Sequence, residues 1–473
     1  MKRVDALIIG AGPGGLSAAL RARDLGLSVL VVDENPRAGG QIYRALRESP
    51  VREAARILGA DYLAGKALLD RFAASGIDHL PRTRVWQIGS DNVACFSSLA
   101  PNPKPGSVEA RFIVLATGAQ ERPFPLPGWT IPGVMTVGGA QILLKTAGLL
   151  PPDDAVLIGG GPLLYQFAEQ VCQAGGRVQA IIDARGPIAP MPLLGHAVRA
   201  LRDPALLQRG ARLLAALRWH GVRRVGDATA IRISGDPRVD GVHYTRHGAE
   251  HTLETSCVLL HAGLIPEVNL SSALGCEHFW NRQQRAWQAR YSIWRESRRA
   301  GLFIVGDGGG IAGAEAASLS GSIAALEIAR QAGKIGEPER DDLAGPLFRQ
   351  WRRRLAARPF LDALYPPPAE CFSPPDEAIV CRCENVTAGE IRRAARLGAS
   401  GPRQIKALTR AGMGHCQGRF CACVAAALAA QTAGIRLDEV AMPRSRFPVK
   451  PVTLEEIALA GSEDRFQRTD FRG

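Results

Sequence analysis

The residues best suited to chemistry are four cysteines late in the chain. Cys381 and Cys383 are one residue apart, and thirty-two residues later Cys416 and Cys421 follow with four between them. Four thiolates gathered by a helical hairpin can hold a [2Fe-2S] cluster or a zinc ion. Gly412, Gly414 and Gly418 around the second pair leave backbone N–H groups free to donate to sulfur, a feature that tunes iron–sulfur potentials and favours iron over zinc. His415 abuts Cys416, but a Rieske-type ligand set needs two histidines, so it reads as a neighbour.

A second chemical signal opens the chain. An apolar run from Val4 ends in Gly10, Gly12, Pro13, Gly14 and Gly15, and helix-forming residues follow. Gly10 makes a tight turn, Gly12 admits a pyrophosphate to the backbone, and Gly15 lets helix and strand pack closely. The helix N-terminus then faces the phosphates with free N–H groups and the positive end of its dipole. A second strand, Val29–Val32, runs into Asp33 and Glu34, about twenty residues on, where a carboxylate accepts ribose hydroxyls. Asp33 fits that register best, with Glu34 beside it. Gly40 and Gln41 lie in a loop that passes the phosphates.

The elements that must position these groups read as α/β. Residues 45–75 carry an amphipathic helical pattern, Thr83–Ile88 is a strand, and the strand Phe112–Leu115 runs into Ala116, Thr117 and Gly118. A second dinucleotide-like unit begins at Ala155, with Gly159, Gly160 and Gly161. Its third glycine position is Leu164, which should crowd a pyrophosphate, and Gln166 stands where nicotinamide-using relatives often have Glu. Both departures argue against NAD(P). Neither unit offers the close cysteine pair of a disulfide reductase, since Cys95, Cys172 and Cys257 are far apart. A later strand ends in Gly306 and Asp307, and a helix follows through Gln331.

The expected organisation is a first part of the dinucleotide domain over 1–150, an inserted and degenerate NAD(P)-like domain over 151–275, and a second part of the first domain over 276–350. A small, mostly helical cysteine module follows over 371–440, then an extended, proline-rich tail over 441–473. A chain of 473 residues with 22% charged residues has room for several soluble cores. The net charge of +13 is spread along the chain, which excludes a concentrated nucleic-acid face. Ten cysteines, with no secretory segment expected, fit a reducing cytoplasmic setting.

Ala-Thr-Gly-Ala-Gln-Glu-Arg-Pro from Ala116, Pro-Gly-Trp-Thr-Ile-Pro-Gly-Val-Met from Pro127, Val-Cys-Arg-Cys-Glu from Val380 and the run from Arg410 to Cys421 together resemble one family. It comprises the alpha subunits of D-hydroxyproline, proline and opine (octopine or nopaline) dehydrogenases and of hydrogen cyanide synthase. The resemblance implies a two-dinucleotide-binding-domain flavoprotein of the glutathione-reductase type, followed by a [2Fe-2S] domain like bacterioferritin-associated ferredoxin. It implies FAD at Gly10, Gly12, Pro13, Gly14, Gly15, Asp33, Glu34, Gly40, Gln41, Thr117, Gly118, Gly306 and Asp307, and a cluster at Cys381, Cys383, Cys416 and Cys421. Cys421 rather than Cys423 keeps the family spacing, and Cys371 is a spare thiol. Some members hold an FMN at a subunit interface. The resemblance also implies a beta subunit of D-amino acid oxidase type that oxidises the substrate, in some cases a small ferredoxin-like gamma subunit, and only indirect membrane contact. No catalytic residue is therefore expected in this chain, which relays electrons. The competing expectations are a self-sufficient NAD(P)H-dependent reductase and a non-catalytic nucleotide-binding scaffold.

Overall fold

The structure, a computed structural model, describes residues 1–460 apart from Pro187, Ala189, Arg202 and Asp203; the end of the expected tail, 461–473, lies outside the described residues. Lys2–Ile9 is almost wholly apolar where it is buried, as a strand covered on both faces must be. It pairs in parallel with Val29–Val32 on one side and with Pro105–Leu115 on the other. Leu302–Ile304 joins beyond, also parallel, beside Ile113–Leu115. Ile9, Leu115 and Ile304 are in register, so Gly10, the Thr117–Gly118 pair and the Gly306–Asp307 pair all leave the same edge of one sheet. Carboxyl ends of parallel strands are where such sheets bind ligands.

Two helices lie against this sheet, Pro13–Asp24 and Ala314–Gln331. They touch backbone to backbone: a Cβ on Gly321 would lie 2.0 Å from the Gly14 carbonyl oxygen. The start of the first helix therefore packs against Ala317 and Gly321, in the first turns of the second. The expected helix over 45–75 is instead three short ones, Ala54–Ile57, Ala60–Leu63 and Gly65–Ala74. Gly59 breaks the pattern at φ +87°, and Gly65 carries no Cβ because the Tyr43 ring occupies that space.

A second parallel sheet orders Arg223–Val225, Ala180–Asp183, Val156–Gly159, Val258–His261 and Val134–Thr136, with a three-stranded antiparallel sheet formed by Thr229–Gly235, Val239–Arg246 and Ala249–Glu254. The cysteine module is a short strand pair, Ile379–Cys381 with Val386–Thr387, and three helices, Ala388–Arg396, Pro402–Thr409 and Ala422–Ala433. Thr387 and Glu390 form a reciprocal cap at the first helix, and Ile391, Ile405 and Leu428 meet in the module's core. Among the described residues no helix is long and apolar enough to cross a membrane.

The tail returns over the first domain. Val449 N–H donates to the Trp86 carbonyl at 2.9 Å. The extended reading ends at Thr453, whose side chain caps a helix, Leu454–Ala460, through Glu456 N–H at 3.1 Å. Thr453 and Glu456 have the spacing of a capping box, so the sequence carried this signal. Glu456 is 2% exposed and takes both a 2.9 Å and a 3.2 Å hydrogen bond from Arg84. Although burial pushes its carboxyl up, the Thr453 N–H and Arg84 outweigh that and bring the pKa down to about 2.

A carboxyl lowered in the folded state stabilises it above its unfolded value and loses that contribution as pH falls towards the folded value. The tail is therefore expected to loosen as pH drops from about 4.5 towards 2. Removing the pair with E456Q should cost roughly 3 kcal/mol at neutral pH and flatten that acid response. Limited proteolysis of the tail across pH checks both; an unchanged cleavage profile in the variant would contradict them.

Candidate functional site

The glycine loop is shaped for a backbone-level ligand. Gly10 turns at φ +108°, and a Cβ there would sit 2.3 Å from the Ala116 carbonyl oxygen. At Gly15 a Cβ would lie 1.9 Å from the Gly10 oxygen, so strand and helix meet in van der Waals contact. Gly12 caps the first helix with Pro13 at its first position, and the space beside it is open, with only the Gly40 Cα within 4 Å. This cradle fits a pyrophosphate.

Asp33 and Glu34 divide in an instructive way. Asp33 is buried, and its two carboxylate oxygens accept from Ala11 N–H at 2.5 Å and Asn35 N–H at 2.6 Å. It ties the glycine loop to the end of the second strand. Glu34 is exposed and reaches Lys450 of the tail at 2.9 Å. Of the two acids, Glu34 is the one with room for an incoming hydroxyl.

Around the other end of the strand edge, Asp307 Oδ1 accepts from Ala312 N–H at 2.8 Å and Gly313 N–H at 3.0 Å, fixing the turn into the helix Ala314–Gln331. Burial pushes its carboxyl up from the usual range, against the pull of those two donors. Thr117 Oγ1 donates to the Glu267 carbonyl at 3.0 Å, and Gly118 accepts from Glu267 N–H at 3.0 Å. Gln41 is exposed, and its Oε1 takes a bond from Arg44 at 2.8 Å. Lys145, invisible as a site residue in the sequence, is 4% exposed and donates to the carbonyls of Gln41 at 3.2 Å and Ile42 at 3.1 Å. Burial, assisted by Arg44, brings its pKa to about 8. It pins the Gly40–Gln41 loop to the helix Val137–Ala147, which follows the second sheet's edge strand Val134–Thr136.

The second glycine loop is filled by the chain itself. The space a Cβ would take on Gly160 is held by the Arg185 side chain, with Cγ 2.3 Å away. Arg185 pairs with Asp183, the strand-end acid, at 2.6 Å, and donates to the Leu364 carbonyl at 3.1 Å. Its guanidinium lies 5.3 Å from the Tyr365 ring centre, and Gly186 N–H donates to the Pro366 carbonyl at 3.2 Å. Leu164 is fully buried. The linker that leads to the cysteine module thus packs over the second glycine loop through Arg185 and Gly186.

The four cysteines form two pairs. The Cys421 S–H donates to the Cys381 sulfur, which that bond, helped by the N–H groups of Gly412, Glu384 and Cys383, holds down at about 5 despite burial; Cys421 is pushed well up. Cys383 and Cys416 hydrogen-bond in the same way, and the Cys416 N–H also donates to the Cys383 sulfur. Four thiols gathered together, with the N–H groups of Gly412, Glu384 and Cys416 at their sulfurs, fit a [2Fe-2S] cluster, which takes four thiolate ligands. Gly414 belongs to the same cradle, because a Cβ there would lie 2.2 Å from the Cys383 Cβ. Cys423 and Cys371 lie beside buried Arg122 instead, and burial pushes both thiols up. His415 is exposed.

The cysteine loop is bolted to the strand edge that carries Thr117 and Gly118. Asn269 Nδ2 donates to the Cys416 carbonyl at 3.3 Å, and Gln120 Nε2 to the Arg419 carbonyl at 2.8 Å. Arg419 reaches Glu267 at 3.6 Å, and Glu267 is the residue that holds Thr117 and Gly118. Trp129 Nε1 donates to the Ile379 carbonyl at 2.7 Å, with Arg382 over its ring.

Residues 4–321 match the pyridine nucleotide-disulphide oxidoreductase family, and residues 379–430 match the BFD-like [2Fe-2S] binding domain. The chain is 44% identical to the opine oxidase A subunit from Rhizobium meliloti, over 96% of its own length and 87% of that protein's. It is 31% identical to hydrogen cyanide synthase subunit HcnB of Pseudomonas aeruginosa, over 97% of this chain and 99% of that one. Among solved structures, L-proline dehydrogenase from P. horikoshii shares the fold with a TM-score of 0.69 at 19% identity, covering 96% of this chain and 80% of that chain.

Proposed function

Since the chain belongs to the pyridine nucleotide-disulphide oxidoreductase family, in the company of opine oxidase A subunits, we propose that it is the electron-relay subunit of a hetero-oligomeric amino acid or amine dehydrogenase. Opines or D-hydroxyproline are the substrates this reading favours. Their oxidation belongs to a separate beta subunit of D-amino acid oxidase type, with a small ferredoxin-like gamma subunit completing the assembly in the cytoplasm. The proposal extends to an FMN held where the subunits meet.

When bound, FAD supplies a centre that takes electrons in pairs and releases them singly, and a [2Fe-2S] cluster supplies a one-electron store. The chain's own residues bind and orient these groups. Gly10, Gly12, Pro13, Gly14 and Gly15 would hold the pyrophosphate, Glu34 the ribose, with Asp33 tying down the loop beneath. Gly40, Gln41, Thr117, Gly118, Gly306 and Asp307 would line the flavin, with the helix N-termini favouring negative charge. Cys381, Cys383, Cys416 and Cys421 would hold the cluster. The observation that carries the reading is the run of contacts from Thr117 through Glu267 to Arg419, which seats the cysteine loop on the cofactor edge.

The test is dye reduction by the purified chain, with and without its co-expressed partner subunits, against opines, D-hydroxyproline, proline and glycine. Turnover is expected only in the complex; substrate oxidation by the single chain would overturn the reading. Arg185 and the linker at Leu364–Pro366 supply a further expectation. Excess NADH or NADPH, added anaerobically, should leave the flavin absorbance of the single chain intact. Rapid bleaching would instead favour the self-sufficient reductase.

A further inference from the structure

A cavity of about 410 Å3 opens directly beside the cysteine loop, with Gly412, Gly414 and Cys421 in one wall. The helix Pro402–Thr409 and the returning tail form the others, and they bring Arg403, Lys406, Arg444, Arg446 and Lys450 to its rim. Among the described residues no Asp or Glu lines it. Arg403, Lys406, Arg444 and Arg446 are exposed and have no acidic partner among the described residues; Lys450 alone is paired, to Glu34. Like charges gathered without counter-charges repel one another, and a negatively charged partner offsets that cost. Met413, which lines the cavity beside those cations, is 41% exposed and gives the loop an apolar contact spot; Phe420, next to Cys421, is 43% exposed.

We propose that this face docks an acidic one-electron carrier protein, an inference that rests on the electron-relay reading. The open, exposed cations suit a protein surface rather than an enclosed anion, and a small apolar spot beside charge suits a transient redox encounter. Complementary charge raises the association rate and orients the carrier, both effects being screened by salt. A carrier seated here would contact the loop that presents the sulfurs.

The test uses the cluster-loaded chain, an acidic plant-type ferredoxin and, as a control, a basic c-type cytochrome, with binding read by calorimetry. At low ionic strength the ferredoxin is expected to bind and the cytochrome not. R444E/R446E and, separately, R403E/K406E should each weaken ferredoxin binding roughly tenfold or more, with melting temperature and iron content unchanged, and salt should weaken the wild type similarly. Equal affinity for ferredoxin in wild type and both variants overturns the proposal. So does loss of the substrate-oxidising subunit from the R444E/R446E complex, which would assign the face to that subunit. Saturable binding of inorganic phosphate or FMN with no ferredoxin binding would overturn it too. Because binding is read without turnover, a failed docking surface is distinguishable from a failed relay.

Discussion

Replacing Cys381 with serine is expected to remove the iron and sulfide from the purified chain almost completely while leaving its flavin absorbance in place. The Cys381 sulfur is held ready as a thiolate. It accepts from Cys421 and from the N–H groups of Gly412, Glu384 and Cys383. A serine hydroxyl is a harder donor that ionises far less readily, and its shorter side chain withdraws from those N–H groups. G414A should produce a similar loss by a different route, because its Cβ would collide with the Cys383 Cβ and move the loop. C423S is the control. That thiol is pushed up by burial and faces Arg122, so iron content should stay at the wild-type level. Iron and sulfide assays with visible spectra check all three. Full iron retention in C381S, or its loss in C423S, would contradict the assignment of Cys381, and not Cys423, to the cluster.

D33N and E34Q are expected to fail differently, although they alter neighbouring acids. Asp33 satisfies the Ala11 and Asn35 N–H groups with its two oxygens. An asparagine can accept from one of them but turns an amide N–H towards the other, leaving a buried donor unpaired at a cost of about 2 kcal/mol. The glycine loop should slacken, so D33N should melt earlier and purify largely without flavin. Glu34 is exposed and its ion pair with Lys450 is solvent-accessible, so E34Q should change stability by less than about 1 kcal/mol. Its FAD affinity should nevertheless fall roughly tenfold, as expected for one lost charge-assisted hydrogen bond. Thermal melts and FAD titration of the apoprotein separate the two. Wild-type melting in D33N, or wild-type FAD affinity in E34Q, would contradict the division of labour.

What could be read from the chain is what is local. Gly10, Gly12 and Gly15 announce a strand, turn and helix because each obeys a steric demand made by neighbours in sequence. The spacing of Cys381, Cys383, Cys416 and Cys421 likewise follows from ligands on one short hairpin and its return loop. The Asp33 and Glu34 roles were harder, since both residues satisfy the motif's spacing and only the fold shows which one the glycine loop consumes. The segment over 45–75 misled because apolar residues at helical intervals outweighed Gly59, which turns the chain at φ +87°, and Gly65, whose steric demand appears only when the Tyr43 ring packs against it. Lys145, the Arg84–Glu456 pair and Arg185 with its linker had no sequence signal, because each joins positions far apart in the chain. Leu164, expected to crowd a pyrophosphate, is instead buried in a core with Leu157, Ala168 and Leu259, and it is Arg185 that occupies the space beside Gly160.

Anaerobic purification of the full chain, followed by flavin, iron and sulfide quantification and EPR of the dithionite-reduced protein, tests the relay most directly. The expected result is a yellow-brown protein with close to one flavin and about two irons per chain, and a reduced-cluster signal that C381S abolishes. A colourless chain after reconstitution, or zinc bound in place of iron, would contradict it.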